Sequence, residues 1–592
     1  MDNRRLFLAA LLSLGVLVLW QWMFAPPQPV APRDSTEGIE APASSGPLSP
    51  EPGRPTAGEA AAESADSGTA AGSGEPVAEG PPIVASLEQT VRLETERFVA
   101  VLTNRGGQLR SFVLKGQRRA DGELVDLVRQ RPAGMPLPFA FVSPAGEELA
   151  INDALFEVRG GGDRLELRYR GPHGDATKVF ALGPDPLFTV EATLHGSDPW
   201  SLMLGPGVRN PKYVDLDNRY EKGARKVDWY VGGELEGRQA DRVDAVTGLP
   251  SSVSWVALTD KYFITAAIPA SPLASVNVVP VAVEQGEGGA VGGYRPLPAS
   301  EEAEEAEWPR DLALTIEPAA DRLALDAYFG TKGYVEMRRQ IRAGVLPPGL
   351  DQTLDWGMFS FIAKPLLYGL RWLHQNVVHN YGWCIVLMTV LIKIALLPLT
   401  HKSYTSMQRM QKLNPRMEAI RNRYRPKLRD KQGRPNLEMQ RKMNEEMQAL
   451  FREEGVSPLG GCLPILIQMP IFFGFYQLLS NAFELWNAPW IGWIGDLTAK
   501  DPYYVLPLLM GATQFVSTKM MPAPTNPSQR IIMNTMPIWF TAISFGFPSG
   551  LVLYWLTNNV TTIIQQGGYN RLKKAGFFGG EPAKAALKTQ RG

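Results

Sequence analysis

The sequence predicts a multi-domain membrane protein in which a large β-sandwich domain precedes a bundle of transmembrane helices. Three features support this fold class: an apolar run starts the chain, β-prone runs fill its middle, and strongly apolar runs fill its last third. With 592 residues the chain is also too long for one core, because single hydrophobic cores stop growing at about 250–300 residues. We therefore expect several domains.

Residues 1–24 are predicted to form an N-terminal transmembrane anchor. A cleaved signal peptide is the alternative, but no small-x-small cleavage site follows the run, and Trp20 and Trp22 suit a membrane interface. Arg4 and Arg5 keep the N-terminus in the cytoplasm under the positive-inside rule. Residues 25–82 are rich in Pro, Ala, Gly, Ser and Glu and contain no aromatic residue, which predicts a flexible linker.

Residues 83–347 are predicted to form a mostly antiparallel β domain, a sandwich. Alternating, valine-rich runs punctuated by Gly, Pro and Asn or Asp indicate strands. These runs are RFVAVLTN, RLELRYRG, LFTVEATLHG, SVNVVPVAVE and LALTIEP. The two histidines of this region, His173 and His195, stand alone in the sequence, so we interpret them as structural or surface residues.

The last third predicts one interfacial helix and five membrane spans. Residues 354–380 alternate apolar and polar positions at helical spacing, which favours an amphipathic helix lying on the membrane. The predicted second transmembrane helix covers 381–400, and helices 3–6 lie within 459–569 as apolar runs near 459–480, 503–521, 530–547 and 549–569. Each run approaches the ~20 residues that a membrane span needs. With the anchor, the predicted number of spans is six.

Charge distribution predicts the orientation of these spans. Residues 401–457 contain fourteen Lys or Arg and seven Asp or Glu, and the tail 570–592 contains six basic residues and one acid. The positive-inside rule then places both termini and 401–457 in the cytoplasm, and the β domain and 481–502 outside. The basic residues of 401–457 either form a solvated face or contact anionic lipid headgroups or ribosomal RNA.

Residues 401–457 are themselves predicted to form a cytoplasmic helical hairpin joined at Gly433. The apolar positions recur at helical spacing and are rich in methionine. They are Met407, Met410, Met417, Ile420, Tyr424, Met443, Met447 and Leu450. Two interpretations remain open: the methionines hold the hairpin together, or they form an adaptable surface for varied apolar clients.

Composition also excludes several chemistries. The sequence contains no phosphate-binding glycine loop with a following Lys-Ser/Thr and no HExxH pair. Its two cysteines, Cys384 and Cys462, lie in apolar runs and cannot form a zinc site alone. Sixty basic residues balance sixty acidic ones, so net charge identifies no partner. We predict no enzyme, no cofactor and no metal site.

The stretch VLMTVLIKIALLPLT, residues 386–400, places Lys393 inside a predicted span. A charge at the centre of a membrane helix costs roughly 2.5–3.5 kcal/mol on insertion scales. Lys393 precedes Leu399, at the predicted cytoplasmic end, by six residues, which is about 9 Å at the helical rise. Snorkelling of the long side chain to the interface is one interpretation. The other interpretation is that water surrounds the ammonium of Lys393.

The five later predicted spans contain no Asp or Glu, so an ion pair or proton relay at Lys393 lacks an acid. They do supply uncharged polar residues. If these face Lys393, they line a positively charged hollow that opens to the cytoplasm and does not cross the membrane. The candidate lining residues are Thr389, Gln468, Thr513, Asn558 and Thr562, with Gln477, Gln514, Thr541, Ser544, Asn559 and Thr561 as further polar positions. A nascent span's hydrophilic flank could enter this hollow without nucleotide hydrolysis, driven by hydrophobic transfer and membrane potential.

Four long motifs in this region resemble the YidC family of bacterial membrane protein insertases, in its Gram-negative form with a large periplasmic domain. They are PLTHKSYTSMQRMQKLNP, PLGGCLPILIQMPIF, DPYYVLPLLMGATQF and FPSGLVLYWLTNNVTTIIQQ. The resemblance covers about 350–575 closely and the β domain more weakly, through TNRGGQLRSFVLK and WVALTDKYFITAAIP.

The resemblance implies a membrane protein insertase and folding chaperone of the inner membrane. It implies that nascent membrane proteins, Sec translocon components and membrane lipids are partners, with a ribosome or signal-recognition receptor at the basic cytoplasmic regions. Lys393 matches a groove position where many members have Arg, and Thr389 a polar position one turn earlier. Met469, Phe472 and Trp555 match client-contacting positions; lipid-facing or interhelical packing is the alternative for these three residues.

Two other functions remain open from the sequence. An ion-coupled transporter that uses Lys393 would need an intramembrane acid and an internal repeat, neither of which is visible. A structural tether would only present the outer β domain to envelope partners.

Overall fold

A computed structural model gives the structure of most of the chain. It describes residues 80–119, 122–128, 135–196, 199–208, 225–285, 291–296, 310–428, 436–455, 463–521 and 527–575. The predicted anchor 1–24, most of the predicted linker 25–82 and most of the tail 570–592 lie outside the described residues.

The described part of the β domain contains nineteen strands. They are β1 Thr90–Glu94, β2 Phe98–Thr103, β3 Gln108–Arg118, β4 Leu124–Asp126, β5 Phe141–Val142, β6 Glu157–Gly161, β7 Arg164–Gly171, β8 Gly174–Leu182, β9 Phe188–His195, β10 Ser201–Leu204, β11 Lys226–Val231, β12 Glu234–Gln239, β13 Thr247–Leu249, β14 Trp255–Thr259, β15 Phe263–Pro269, β16 Leu273–Gln285, β17 Val291–Pro296, β18 Arg310–Pro318 and β19 Arg322–Thr331. The five β-prone runs read from the sequence fall on β2, β7, β9, β16 and β18, so the β-rich domain is confirmed.

The strands form three antiparallel sheets. The largest has nine strands in the order β12-β11-β14-β15-β19-β9-β8-β7-β6. The second has the order β13-β16-β18-β10-β5, with β17 paired to β16, and the third has the order β1-β2-β3-β4. Many neighbours are consecutive in the chain, as in β6-β7-β8-β9, because tight turns connect antiparallel strands readily.

One apolar core lies between the nine-stranded sheet and the two smaller sheets. Strands facing it alternate buried and partly exposed residues, as β7 and β9 do, since side chains alternate between the faces of a strand. Aromatic rings from two of the sheets meet in it: Phe112 of β3 stacks on Phe329 of β19 with ring centroids 4.8 Å apart. This shared core fixes the sheets against each other.

The opposite face of the nine-stranded sheet is also covered. Trp255 and Ala257 of β14 and Ile264 and Ala266 of β15 belong to a second apolar cluster, which includes residues of the helical region. Every residue of β14 is therefore buried, as expected for a strand packed on both faces. Through this cluster the β domain rests directly on the helices.

Ten α-helices lie in the described part of the chain. They are α1 Tyr334–Arg342, α2 Ser360–Asn376, α3 Tyr381–Ala395, α4 Leu397–Lys412, α5 Asn414–Tyr424, α6 Leu437–Glu453, α7 Leu463–Asn481, α8 Val505–Met520, α9 Pro527–Ser544 and α10 Ser549–Lys574. The predicted span 381–400 corresponds to α3 and the first turn of α4. The chain changes helix at Leu396, because Pro398 has no N–H to continue the helix and is favoured in a first turn.

Among the described helices, no single one has both the length and the apolar composition expected of a membrane span. The pair α2 and α3 meets both criteria jointly, with a bend of 120° between them. The number of spans therefore stays a prediction.

Helices α5 and α6 pack side by side. Arg416 pairs with Glu454 and Arg423 with Glu446, so the partner's number falls as the first number rises, and the two helices are antiparallel. Their shared cluster contains Leu413, Met417, Ile420 and Leu450, with Met410, Tyr424, Met443, Met447 and Phe451 packed against it. The methionines thus contribute to the packing of the helix pair; Gly433, the predicted joint, lies outside the described residues.

Candidate functional site

Helix α10 is the element on which the candidate site is built. Its N-terminus is tied to the connection after α7, because Ser549 Oγ donates a hydrogen bond of 2.7 Å to the carbonyl of Ala499. Near its other end Asn570 accepts a hydrogen bond of 3.1 Å from the Tyr404 hydroxyl of α4. Between these attachments α10 packs against α3, α7 and α8, so its side chains meet those of three other helices.

Lys393 of α3 meets α10 through a hydroxyl. Its ammonium donates a hydrogen bond of 3.0 Å to Thr562 Oγ1, and that hydroxyl donates at 2.7 Å to the carbonyl of Asn558. Gln565 Nε2 donates at 3.3 Å to the carbonyl of Lys393 itself. The lysine is half-buried, and its side chain forms no ion pair within the described residues.

The face of α10 around Thr562 holds acceptors that no described group satisfies. The side-chain oxygens of Asn558, Gln565 and Gln566 are buried without a hydrogen-bond partner. Asn558, Thr562 and Gln565 follow one another at four- and three-residue spacing, so they share one face of the helix. Leaving a buried acceptor unpaired costs about 1–3 kcal/mol, and ordered water commonly satisfies such groups. We call this face, with Lys393, the polar seam.

The other predicted polar residues lie at different distances from the polar seam. Gln468 of α7 donates at 2.7 Å to the Tyr554 hydroxyl of α10, and Thr513 of α8 accepts from Asn559 Nδ2 at 3.5 Å. Both therefore contact α10. Thr389 does not join them, because it is only 2% exposed and its hydroxyl donates to the carbonyl of Ile385 in its own helix.

The predicted client-contacting residues cluster on α7 and α10. Phe472 packs edge-on against Trp555 with ring centroids 4.6 Å apart, and Trp555 also contacts Phe540 of α9 at 4.6 Å. The indole N–H of Trp555 donates at 3.1 Å to Gln514 Oε1 of α8. Met469, one turn before Phe472, is 37% exposed.

Sequence reasoning missed three contributors to the site. Gln565 could have been found from its seven-residue spacing to Asn558, which returns to the same helix face. Tyr554 and Phe540 had no signal in the sequence, since aromatic residues are frequent throughout these apolar runs and their role depends on which helices meet.

Helices α3, α7, α8, α9 and α10 contain no Asp or Glu. Acids occur instead in the connection 482–504, where Glu484 pairs with Arg371 at 2.9 Å and Asp501 accepts from Trp493 at 2.9 Å. Burial raises the pKa of Asp496 above its ordinary value, with hydrogen bonds from Thr498 opposing. The ammonium of Lys393 is therefore neighboured by neutral acceptors within the described helices.

Comparison with known proteins identifies the family. A family model described as 60Kd inner membrane protein matches residues 372–575, and one described as YidC periplasmic domain matches residues 90–368. A membrane protein insertase YidC from Syntrophus aciditrophicus is 32% identical over 96% of this chain and 100% of that protein. One from Pelobacter propionicus is 32% identical over 96% of this chain and 99% of that protein.

The architecture is that of an inner-membrane protein with a β-rich periplasmic domain. More specifically, the chain belongs to the YidC family of membrane protein insertases. A crystal structure of an active YidC insertase with its first transmembrane domain resolved is 18% identical and covers 83% of this chain and 94% of that chain. Its TM-score is 0.34, a likeness too low to support further argument.

Proposed function

We propose that the polar seam is the inner wall of a hydrated, positively charged groove that opens to the cytoplasm and receives hydrophilic flanks of nascent membrane proteins. One observation carries the proposal: the Lys393 ammonium donates to the hydroxyl of Thr562, and no carboxylate of the described residues pairs with it. A charge so placed is tolerable where water reaches it, and it attracts acidic flanks.

The mechanism depends on two surfaces of the site, the polar seam and the apolar cluster on α7 and α10. A client's polar flank enters beside Lys393 and the unpaired amide oxygens of α10, which replace part of its hydration shell. Its apolar segment contacts Met469, Phe472 and Trp555 and leaves sideways into lipid. Hydrophobic transfer, at about 25 cal/mol per Å² of apolar surface removed from water, supplies the driving force without nucleotide hydrolysis.

Topology and partners complete the proposal. Both termini and the α5–α6 pair lie in the cytoplasm, with six spans in all and α2 lying in the outer interface. The insertase works alone or beside the Sec translocon, and its basic cytoplasmic segments meet a ribosome or signal-recognition receptor. The positive-inside rule supports this orientation, because residues 401–457 and the tail have a basic surplus.

The experiment that tests the groove charge compares Lys393→Arg with Lys393→Glu in reconstituted vesicles that insert single-span clients. We expect Arg to preserve insertion, because it keeps the positive charge, and Glu to reduce it about tenfold or more. The matched control is Lys519→Glu, since Lys519 is exposed at the end of α8 and should change insertion little. Equal insertion by the Lys393→Glu and unmodified proteins, at equal abundance, would refute a charge role.

Crosslinking tests the path of the client. A photoreactive residue at 469, 472 or 555 should crosslink to a stalled nascent span, whereas one at 538, on the exposed side of α9, should crosslink to lipid. A result in which position 538 captures the client as efficiently would reject the proposed path.

The two other functions predict different results. A transporter should show saturable solute uptake that Lys393→Ala abolishes, although helices α3, α7, α8, α9 and α10 contain no Asp or Glu for ion coupling. A tether should lose all function on deletion of residues 83–340, whereas an insertase should retain much of it.

A further inference from the structure

A second site lies away from the polar seam, where the β domain meets the helices. It is a cleft of about 430 Å³, which is within the ~300–1,000 Å³ range of small-molecule sites. The cleft is lined by the start of β2, the end of β19, helices α1 and α2, and the connection after α7. Its charged lining residues are Glu96, Arg97, Glu336, Arg371 and Glu484.

The two arginines of the cleft already bind carboxylates. Arg97 pairs with Asp185 at 2.7 Å and with Glu336 at 3.2 Å, and Arg371 pairs with Glu484 at 2.9 Å. Glu96 is exposed and pairs with no cation among the described residues. Among the charged residues of the lining, three acids thus face two bases.

Two buried side-chain oxygens of the lining residues have no hydrogen-bond partner within the described part of the chain. Gln340 is 6% exposed and its side-chain oxygen has no partner. The side chain of Glu484 is 9% exposed, and its oxygen Oε2 has no partner either. The Gln340 amide cannot turn over, because its nitrogen donates at 3.1 Å to Glu336.

Glu336 remains an acceptor at neutral pH. Burial acts to raise the pKa of Glu336, but hydrogen bonds from Arg339 and Arg97 outweigh it and hold that pKa below its ordinary value. A carboxylate can only accept hydrogen bonds, so the Gln340 amide keeps its nitrogen toward Glu336 and its oxygen stays without a described partner.

A primary ammonium fits this set of acceptors. It carries a positive charge and three N–H donors and has no acceptor of its own. A quaternary ammonium has the same charge but no N–H, so it cannot satisfy Gln340 and Glu484. The guanidinium of Arg371, with five N–H donors of which Glu484 accepts one, can also bind an anion beside the ammonium.

The position of the cleft favours a lipid as the source of this ammonium. Helix α2 lines the cleft with Arg371 and exposes Phe361, Tyr368 and Trp372; Tyr and Trp are enriched where membrane meets water. We propose that the cleft binds the ethanolamine headgroup of a phospholipid, with its ammonium at Gln340, Glu484 and Glu96 and its phosphate at Arg371. The lipid source rests on the proposed function, which places α2 in the outer interface.

The first experiment measures how tightly the cleft binds isolated headgroups, without a lipid bilayer. Phosphoethanolamine and phosphocholine are titrated calorimetrically into the detergent-solubilised full chain. We expect phosphoethanolamine to bind about tenfold more tightly, because its ammonium can donate hydrogen bonds to Gln340 and Glu484 and the quaternary ammonium of phosphocholine cannot. Gln340→Met should remove most of this preference and Glu96→Gln should reduce it, whereas Glu147→Gln, on an exposed loop outside the cleft, should leave it unchanged. Equal binding of the two headgroups would overturn the proposal.

The second experiment tests whether the bound ammonium belongs to a membrane lipid. Nanodiscs containing the full chain are prepared with mixed phosphatidylethanolamine and phosphatidylcholine, and retained lipids are identified by native mass spectrometry. Selective retention of phosphatidylethanolamine that Gln340→Met abolishes is the expected result. Displacement of that lipid by a lysine-rich peptide at lower concentration than by phosphoethanolamine would assign the cleft to a polypeptide and overturn the lipid source. Lys393→Glu separates the two proposals, because it should impair insertion and leave lipid retention intact.

Discussion

The β domain and the helical region distribute polar and apolar side chains in opposite ways. Large exposed apolar residues of the β domain are few among those described: Val84, Leu87 and Val246. Helices α2, α3, α8, α9 and α10 expose many, including Trp372, Ile394, Leu508, Ile538, Trp539 and Ile564. Contiguous exposed apolar surface on this scale marks a membrane or partner surface. The difference indicates that the two regions have different solvents.

Charges follow the same division. The β domain has ion pairs on its surface, such as Arg170–Asp175 and Arg322–Glu191. None of the described ion pairs involves a residue of α3, α7, α8, α9 or α10. Their polar groups are hydroxyls and amides that meet along α10, which is consistent with lipid outside and a small hydrated volume inside. One chain thus uses charge where water is outside and neutral polar groups where lipid is outside.

The largest effect is expected where the β domain buries a lysine. Lys178 is fully buried, which lowers its pKa well below the ordinary value, and its side-chain nitrogen contacts the carbonyls of Gly106, Gly107 and Phe139 at 2.6, 3.2 and 2.5 Å. Lys178→Met leaves three acceptors unpaired, at about 1–3 kcal/mol each, so it should lower unfolding stability by about 4 kcal/mol. Chemical denaturation of the full chain measures this. The control Lys115→Met removes a surface pair with Glu94 and one hydrogen bond to the carbonyl of Thr95, and it should cost only about 1 kcal/mol; equal effects would contradict the structural role of Lys178.

The next largest effect tests whether lipid surrounds the helices and water surrounds the β domain. Ile538 of α9 is 71% exposed and Leu87 of the β domain is 76% exposed. If lipid surrounds α9, Ile538→Lys should cost up to about 3 kcal/mol and reduce the fraction of chain recovered in membranes. Leu87→Lys should be close to neutral because water already surrounds that site. Membrane fractionation and thermal unfolding of both variants measure these effects. If Lys is tolerated equally at both positions, lipid does not surround Ile538.

A smaller effect concerns pH and a second buried lysine of the β domain. Burial, assisted by Lys226, lowers the pKa of Lys332 to about 8, although Asp228, Asp260 and Asp355 oppose the shift. Between this value and its ordinary value the unfolded chain binds the extra proton, so stability rises with pH. From pH 8 to pH 10 the gain should be about 2 kcal/mol.

The measurement is the difference in unfolding stability between the unmodified chain and Lys332→Met across this pH window. That difference cancels the contributions of other titrating groups. A constant difference from pH 8 to pH 10 would show that Lys332 keeps its ordinary pKa.

The smallest effect is expected in the α5–α6 pair, which is polar outside like the β domain. Arg423 is 63% exposed and donates to Glu446 at 2.6 Å. A double-mutant cycle of Arg423→Ala and Glu446→Ala should give a coupling energy below about 1 kcal/mol, because exposed ion pairs contribute little. A markedly larger coupling would show that this surface is shielded from water.

The local parts of the fold were predictable because their causes are local. Alternation in RLELRYRG follows from side chains pointing to opposite faces of one strand, and it fell on β7. Helical spacing in 401–457 falls on α4, α5 and α6. The break at Leu396 was not predicted, because 381–400 was expected to form one helix, although Pro398 accounts for it. Sheet order was not predictable, since pairing of β9 with β19 joins strands far apart in the chain.

For the candidate site, the sequence identified several of the residues but not which of them contact each other. Lys393 was identified because one charge in an apolar run is conspicuous, and its lack of an acid could be read from the neighbouring runs. That Thr562 is its partner could not be read, because the two residues are 169 positions apart. Thr389 shows the converse: spacing places it with Lys393, but its hydroxyl is satisfied within its own helix.

The sequence by itself determined which segments are β-prone, which are apolar, where the basic surplus lies and that one lysine stands among uncharged residues. These properties depend on residue type and short-range periodicity. The tertiary structure decided that α10 is the helix on which Lys393, Gln468 and Thr513 converge, and that a cleft with unpaired acceptors lies between the β domain and α2. Such contacts depend on how distant elements pack, and the free energy of packing is shared among residues that no local pattern connects.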